Sequence, residues 1–228
     1  MSIARLMQQA AAGVSAGGGY SPPSGTILSS FATQGSKVNG LGFASGNLLE
    51  CDNGTDRIYI HSGVSSTVSS SFSSPGINPS GMAFDGTDLI SSDYSSDLIY
   101  IHDGISATIL SSFASQGAVP YGVVFVGANL ISCDLVTDLI YIHDGVSSTI
   151  LSSFAAPAGA ITGLAYDGTN LISCDRDTEL IYIHDGVSST ILSSFASPSI
   201  QPVGLSHDGT NLISCDQNTN LIYIHANA

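Results

Sequence analysis

The stretch LIYIHDGVSSTILSSFA occurs identically at 139–155 and 180–196, and again at 98–114 with only Ile105 and Ala107 changed. The copies lie 41 residues apart, and that interval holds along the chain. His61, His102, His143, His184 and His225 keep it, as do Phe31, Phe72, Phe113, Phe154 and Phe195. Tyr59, Tyr100, Tyr141, Tyr182 and Tyr223 keep it too, and so do Asp52, Asp93, Asp134, Asp175 and Asp216. No insertion interrupts the register. After 23 leading residues, the remaining 205 form five units of 41, at 24–64, 65–105, 106–146, 147–187 and 188–228. A fixed period of this length marks a repeat architecture in which no unit buries its apolar face alone.

Within one period the sequence reads as four short strands: STILSSFA (189–196), PVGLSHD (202–208), TNLISCD (210–216) and LIYIHA (221–226). Ile, Leu, Val, Phe and Tyr fill them, without helical spacing. Asp167-Gly168 and Asp185-Gly186 mark two of the joints. Asp-Gly is a tight-hairpin signal, so both joints are expected to link antiparallel neighbours. The joint CDRDTE (174–179) reads as a short polar turn, and the Pro-containing ASPSIQP (196–202) as a crossing between sheets. Four antiparallel strands every 41 residues predict the blade of a β-propeller, and five units predict five blades. A leucine-rich repeat would show LxxLxL spacing, and a parallel β-helix would lack the Asp-Gly hairpins.

The ends of the repeating region predict closure. It begins on an outermost strand, TILSSFA (26–32), and finishes on a third strand, LIYIHA (221–226). If the first completes the last blade, no incomplete blade exposes a sheet edge. An open stack would need polar capping repeats, and none is visible. The expected organisation is therefore an all-β five-bladed propeller at 25–228, closed by its N-terminal strand, behind a leading segment at 1–24. The unit LAYDGTNLISCDRDTELIYIHDGVSSTILSSF (164–195) resembles NHL-type propeller repeats, over about 90% of the chain. That resemblance implies a fold and no particular function.

Composition removes several classes of function. Four basic residues (Arg5, Lys37, Arg57 and Arg176) face 18 acidic ones, for a formal net charge of -14. Neutralising phosphates needs clustered Lys and Arg, which argues against nucleic acid and anionic membrane surfaces as partners. No apolar run approaches the roughly 18 residues that span a bilayer. With 43% hydrophobic residues the chain can bury a core. Cys51, Cys133, Cys174 and Cys215 occupy one slot of the repeat, with Ser92 in the fifth copy. The repeat geometry should keep them further apart than the ~7 Å between Cα atoms that a bridge tolerates. They are expected to be buried free thiols acting as small packing residues.

The repeated His and Asp sets raise a metal site, and both have simpler readings. Equivalent His residues on third strands lie far from the ring axis and cannot converge; they should pack between blades and hydrogen-bond a loop. Each Asp after a second strand should accept backbone N–H groups of the turn that follows. His207 replaces Phe43, Phe84, Phe125 and Tyr166 in an inner-strand slot and reads as packing. HExxH, the GxSxG elbow and an EF-hand loop are absent from the sequence. Catalysis by paired carboxylates needs two acids in different environments, whereas these acids recur in equivalent ones. Glu50 and Glu179, the only glutamates, read as solvated structural residues. No catalytic residue, metal or cofactor is expected.

Variation among the repeats points to one face. The turns after second strands differ freely: NGT (53–55), YSS (94–96), LVT (135–137), RDT (176–178) and QNT (217–219). The crossings differ as well, and because strands alternate in direction both classes lie on one face. Loops on a rigid scaffold carry function, so Asn53, Tyr94, Leu135, Arg176 and Gln217 are candidate ligand-binding residues. Tyr121 joins them, and Tyr94 and Tyr121 are the candidate exposed aromatics.

Residues 1–24, MSIARLMQQAAAGVSAGGGYSPPS, differ in kind. Ser2 could cap a short helix whose stripe of Ile3, Leu6, Met7 and Ala10 has 3–4 spacing. Gly17–Gly19 would end it, and Pro22-Pro23 would act as a linker. Met1, Ser2, Leu6, Gln8 or Gln9, Ala10–Ala12 and Gly13 resemble the N-terminus of structural proteins from marine tailed bacteriophages. The resemblance covers about 6% of the chain. It implies a virion component, a tail or capsid appendage, held to other virion proteins by residues 1–24. A helix this short needs a partner, or further copies of itself in a homo-oligomer. The resulting expectation is a non-enzymatic virion protein whose propeller is exposed and contacts a host-surface glycan or receptor. The alternative is a lectin-like or other ligand-binding propeller outside a virion.

Overall fold

The computed structural model describes residues 21–227, so the expected helix and its stripe of Ile3, Leu6, Met7 and Ala10 lie outside the described residues. Each 41-residue period forms one four-stranded antiparallel sheet, as the strand pattern predicts. Blade one runs outward from the axis through β2 (Val38–Ala44), β3 (Asn47–Asp52), β4 (Arg57–His61) and β5 (Val68–Ser73). Blade two is β6 (Pro79–Phe84), β7 (Leu89–Asp93), β8 (Leu98–His102) and β9 (Ile109–Ala114). Blade three is β10 (Pro120–Val126), β11 (Asn129–Asp134), β12 (Leu139–His143) and β13 (Ile150–Ala155). Blade four is β14 (Ile161–Tyr166), β15 (Leu171–Asp175), β16 (Leu180–His184) and β17 (Ile191–Ala196). Blade five takes β18 (Pro202–His207), β19 (Leu212–Asp216) and β20 (Leu221–Asn227) from the end of the chain and β1 (Pro23–Ala32) from its start.

The closure follows the repeat to the residue. β1 pairs with β20 through Ile27↔His225, Ser30↔Tyr223, Phe31↔Ile222 and Ala32↔Leu221. In blade four the equivalent strands pair Tyr182↔Ser194, Ile181↔Phe195 and Leu180↔Ala196. β1 begins at Pro23, earlier than the 26–32 stretch, because Pro23 pairs with Asn227 across a register shift. The Ser24 hydroxyl also donates to the Ala226 carbonyl at 3.1 Å.

The core lies in the seams between blades. Five apolar clusters are found among the described residues, each drawing on two adjacent blades. The seam between blades five and one shows the closure in packing: Val203, Ile213, Cys215 and Ile222 meet Val38, Leu41 and Leu48. All four cysteines are free and buried. Burial pushes the Cys174 thiol up to about 12 and raises the other three as well, so none is a reactive thiolate near neutral pH.

A glycine faces each of these slots from the neighbouring inner strand: Gly40, Gly81, Gly122, Gly163 and Gly204, again 41 apart. They let adjacent inner strands approach backbone to backbone around the axis. A Cβ on Gly163 would sit 2.8 Å from Cys174 Sγ and 2.9 Å from the Leu205 nitrogen of the next blade. A Cβ on Gly204 would sit 2.9 Å from the Gly40 Cα, across the closing seam. The packed inner strands leave no room for water at that level of the axis.

The joints differ in one respect from the hairpins that Asp-Gly predicts. Gly168 (φ 95) and Gly186 (φ 62) have positive φ, but their aspartates do not. Neither joint is therefore a two-residue type I′ turn, which needs positive φ at both central positions. The third-to-fourth joint is a six-residue loop closed by Asp185 N–H to Thr190 O at 2.8 Å. Its conformation comes from a tertiary clasp: the Gly186 N–H donates to Asn170 Oδ1 of the first-to-second turn at 2.8 Å. Gly63 with Asn47, Gly104 with Asp88, and Gly145 with Asn129 repeat the clasp. The two joints thus share one face, as strand alternation requires.

Candidate functional site

The repeated Asp and His residues are cross-links of the scaffold. Asp175, fully buried, accepts the Thr178 N–H at 2.7 Å and the Thr178 hydroxyl at 2.9 Å on Oδ1. Its Oδ2 accepts the Ala160 N–H at 2.7 Å, from the crossing that enters the blade. Asp52, Asp93, Asp134 and Asp216 do the same with Lys37, Asn78, Val119 and Gln201. Each carboxylate thus holds the turn that follows it, as the sequence predicts, and also the preceding crossing, which the sequence does not reveal.

Each His ring joins three elements. His184 Nδ1–H donates to the Ser188 carbonyl at 2.7 Å, and Nε2 accepts the Ser173 hydroxyl at 2.9 Å. Its ring lies 6.1 Å from Phe154 of the previous blade. His102, His143 and His225 repeat the arrangement. For His225 the carbonyl belongs to Ser24, the residue four places on in ring register, as Ser188 is from His184. Burial lowers the pKa of these four rings below the usual histidine value, against the pull of the serine carbonyl. They are neutral cross-links near neutral pH.

Blade one departs from this pattern. Glu50 stands where the other blades have Ser91, Ser132, Ser173 and Ser214. Its Oε2 lies 3.0 Å from His61 Nε2, with both side chains fully buried. The expectation of a solvated Glu50 is therefore corrected. The carboxylate reaches further than serine and also accepts the Gln34 N–H at 2.9 Å. Pro75, Pro157 and Pro198 occupy the Gln34 slot in three other units and have no N–H to offer. Glu179 is exposed, as expected.

The varied face brings its candidate residues together as a ring. Asn53, Tyr94, Leu135, Arg176 and Gln217 are half-buried, each directly after a clamping Asp. The Asn53 amide donates to Tyr94 Oη at 3.1 Å, and Tyr94 donates to Asn78 Oδ1 at 2.8 Å. The Gln217 amide reaches the Val38 carbonyl at 3.4 Å across the closing seam. Tyr121 corrects the expectation of exposure: only 7% is accessible. It takes an inner-strand slot held elsewhere by Asn39, Ser80, Thr162 and Val203. Its hydroxyl donates across the axis to Asn39 Oδ1 at 2.9 Å. Tyr94 stacks on it at 5.6 Å with 7° between the rings, and Leu135 packs against the same cluster. Burial pushes the Tyr121 hydroxyl up to about 12, with the Arg176 charge pulling the other way. Tyr121 is a plug, and the varied residues form a shallow rim around it.

The opposite mouth of the axis is open. Phe43, Phe84, Phe125, Tyr166 and His207 lie at or one residue before the ends of the inner strands there and line a cavity of about 130 Å³. Met82, Val124, Leu164, Ala165 and Leu205 contribute to its wall. These aromatic residues are half-buried, one per blade. The sequence assigns His207 and its equivalents to packing, and Phe84, Phe125 and Tyr166 do pack against the apolar clusters between blades; the set also borders this end of the axis. The available signal was position: each is the last or next-to-last residue of its inner strand before a turn.

No protein-family model and no curated protein matches the sequence. Among solved structures, glutaminyl cyclase from Myxococcus xanthus superposes with a TM-score of 0.73 at 13% identity, covering 87% of this chain and 94% of that one. The WD40 β-propeller domain of Doa1 gives 0.58 at 13% identity, covering 82% and 62%. The β-propeller domain of Cps50 (Swd1) from Myceliophteria thermophila gives 0.57 at 10% identity, covering 89% and 99%. At such identities the likeness is one of fold alone, and the chain is a closed five-bladed β-propeller.

Proposed function

We propose that the chain is a non-enzymatic structural protein of a tailed-phage virion, a tail or capsid appendage whose propeller displays its varied face outward. The observation that carries this reading is where the chain enters the ring. Pro23 lies opposite Asn227, at the end of β20 from which third-to-fourth loops depart in the other blades. The leading segment therefore joins at the rim of the face carrying the uniform turns, and the varied face points the other way. A scaffold tethered at that rim offers Asn53, Tyr94, Leu135, Arg176 and Gln217 to a host glycan or receptor. The N-terminal resemblance supports attachment to other virion proteins through residues 1–24. The commitment of the repeated carboxylates to main-chain donors supports a scaffolding role for them.

Removing residues 1–23 tests the proposal. The strand pairing with β20 is retained from Ser24 onward, so the truncated chain should melt within a few degrees of the parent. In particles of the phage that encodes it, the full chain should be present and accessible to antibodies raised against 25–228. The truncated chain should be absent from them. A full chain missing from purified particles, or a truncated one incorporated normally, would overturn the reading.

A further inference from the structure

We propose that Glu50 and His61 form a proton-holding latch on the closing seam, which secures the N-terminal strand while a shared proton is bound and loosens it when the proton leaves. This goes beyond the virion reading and does not depend on it. His61 Nδ1 lies 2.7 Å from the Ser65 carbonyl oxygen. A carbonyl only accepts, so Nδ1 carries a hydrogen. In a neutral imidazole Nε2 is then an acceptor, and it faces Glu50 Oε2 at 3.0 Å. An ionised carboxylate also only accepts, so a proton sits between the two, on Nε2 or on Oε2. In the other four blades Nε2 meets a serine hydroxyl, which supplies its own hydrogen, at 2.7–2.9 Å. The blade-one site therefore holds one proton more than its equivalents.

The site lies where the ring is closed. Glu50 shares a face of β3 with Leu48, and Leu48 packs in the cluster that holds Val203, Ile213 and Cys215 of blade five. The Phe31 ring of β1 lies 5.9 Å from His61. Just beyond β1, the Gln34 N–H donates to Glu50 Oε1 at 2.9 Å. The pair thus grips both the closing strand and the crossing that leaves it. Both side chains are fully buried. Without the proton, two acceptors face each other beside an uncompensated buried carboxylate, which is strongly destabilising. Parting of Phe31 and Gln34 from the pair relieves this by admitting water to the seam. The other titratable groups around the pair are Tyr59, opposite Glu50 on β4, Arg57 opposite Asp52, and Cys51, Asp52 and Cys215. Asp52 accepts the Lys37, Gly54 and Thr55 N–H groups, and Arg57 is held by Ser71. Burial first, then neighbouring charges that include Glu50, raises both thiols, so they stay protonated near neutral pH.

In an unfolded chain a glutamate keeps its proton only below about pH 4.3 and a histidine only below about pH 6.5. Above about pH 6.5 the folded site therefore holds a proton that the unfolded chain has lost, and its stabilisation declines as pH rises. The test measures urea unfolding of the full chain between about pH 7 and 8 beside Glu50→Gln and Glu50→Ser. The glutamine amide can donate to a neutral His61 and still accept the Gln34 N–H, and serine restores the residue of the other blades. Ionisation of unfolded thiols is common to all three chains and cancels in the comparison. Relative to either variant, the folding constant of the parent should fall by about tenfold per pH unit, the signature of one proton. Native-state hydrogen exchange locates the effect. Over the same range, protection of the β1 amides and of Gln34 should fall in the parent relative to Glu50→Gln, and by more than protection of β9, the same strand of blade two. A pH slope that persists in both variants would overturn the shared proton. Equal losses of protection in β1 and β9 would overturn the latch.

Discussion

Deleting residues 24–33 should abolish the soluble monomer or lower its melting temperature by more than 15 °C, as followed by circular dichroism and size-exclusion chromatography. β1 is the outermost strand of blade five, and its loss removes the pairing of Ile27 to Ala32 with β20. Phe31 leaves His61, whose ring it faces at 5.9 Å. His225 loses the Ser24 carbonyl and keeps a buried Nδ1–H without a partner. Each lost hydrogen bond costs about 1 kcal/mol, and an orphaned buried donor about 1–3 kcal/mol. Burying a Phe side chain contributes roughly 1.5–3 kcal/mol. The total rivals the 5–15 kcal/mol by which domains are stable. The exposed β20 edge would then template aggregation. A deletion variant that melts like the parent would mean that β1 is an accessory strand.

Gly163→Ala should destabilise the ring by about 3 kcal/mol or more, measured by urea denaturation. The new methyl group would meet the Cys174 sulfur and the backbone of Gly204 and Leu205, at 2.8–3.1 Å. Backbone of the next blade cannot move alone, because the same contact recurs at Gly204 against Gly40. Overpacking of this kind typically costs 1–3 kcal/mol when side chains can yield, and here the obstacle is largely main chain. Gly168→Ala is the contrast. Open space surrounds its Cβ position, and the penalty is its φ of 95°. That change should cost about 1–2 kcal/mol. Equal losses at the two positions would contradict inter-blade approach as the reason for the glycine ring.

Much of this architecture could be read from the period. A 41-residue interval without slips gives blade count and strand order, and the phase of 26–32 against 221–226 gives the closure, because those properties are one-dimensional. What escaped the sequence depends on distance in space. Asp-Gly at 185–186 has the composition of a tight hairpin, but the clasp from Asn170, sixteen residues earlier, shapes a longer loop. Glu50 was read as solvated because carboxylates are almost never fully buried unless paired. Its partners His61 and Gln34 lie eleven residues after and sixteen before it. Tyr121 resembled a surface aromatic because it adjoins a varied crossing. Only the ring geometry shows that a large residue in a slot of small ones must cross the axis. The packing role of the Phe43 slot was legible from one unit, and Phe84, Phe125 and Tyr166 do pack against the clusters between blades; only the ring arrangement also sets them around one end of the axis.

The central claim is that the chain is a ring of five equivalent blades whose seam lies where the termini happen to fall. A circular permutant tests it most directly. Residue 228 is joined to residue 24 without a linker, new ends are placed between 64 and 65, and residues 1–23 are omitted. In ring register Ser24 follows Ala228 as Ser65 follows Val64, so the joint recreates an ordinary third-to-fourth loop. The closing strand becomes β5, in the role that β1 now has. The account predicts a monomer with the same circular dichroism spectrum and a melting temperature within about 5 °C of the unpermuted 24–228 chain. An insoluble permutant, or one melting more than 15 °C lower, would contradict the equivalence of the five seams.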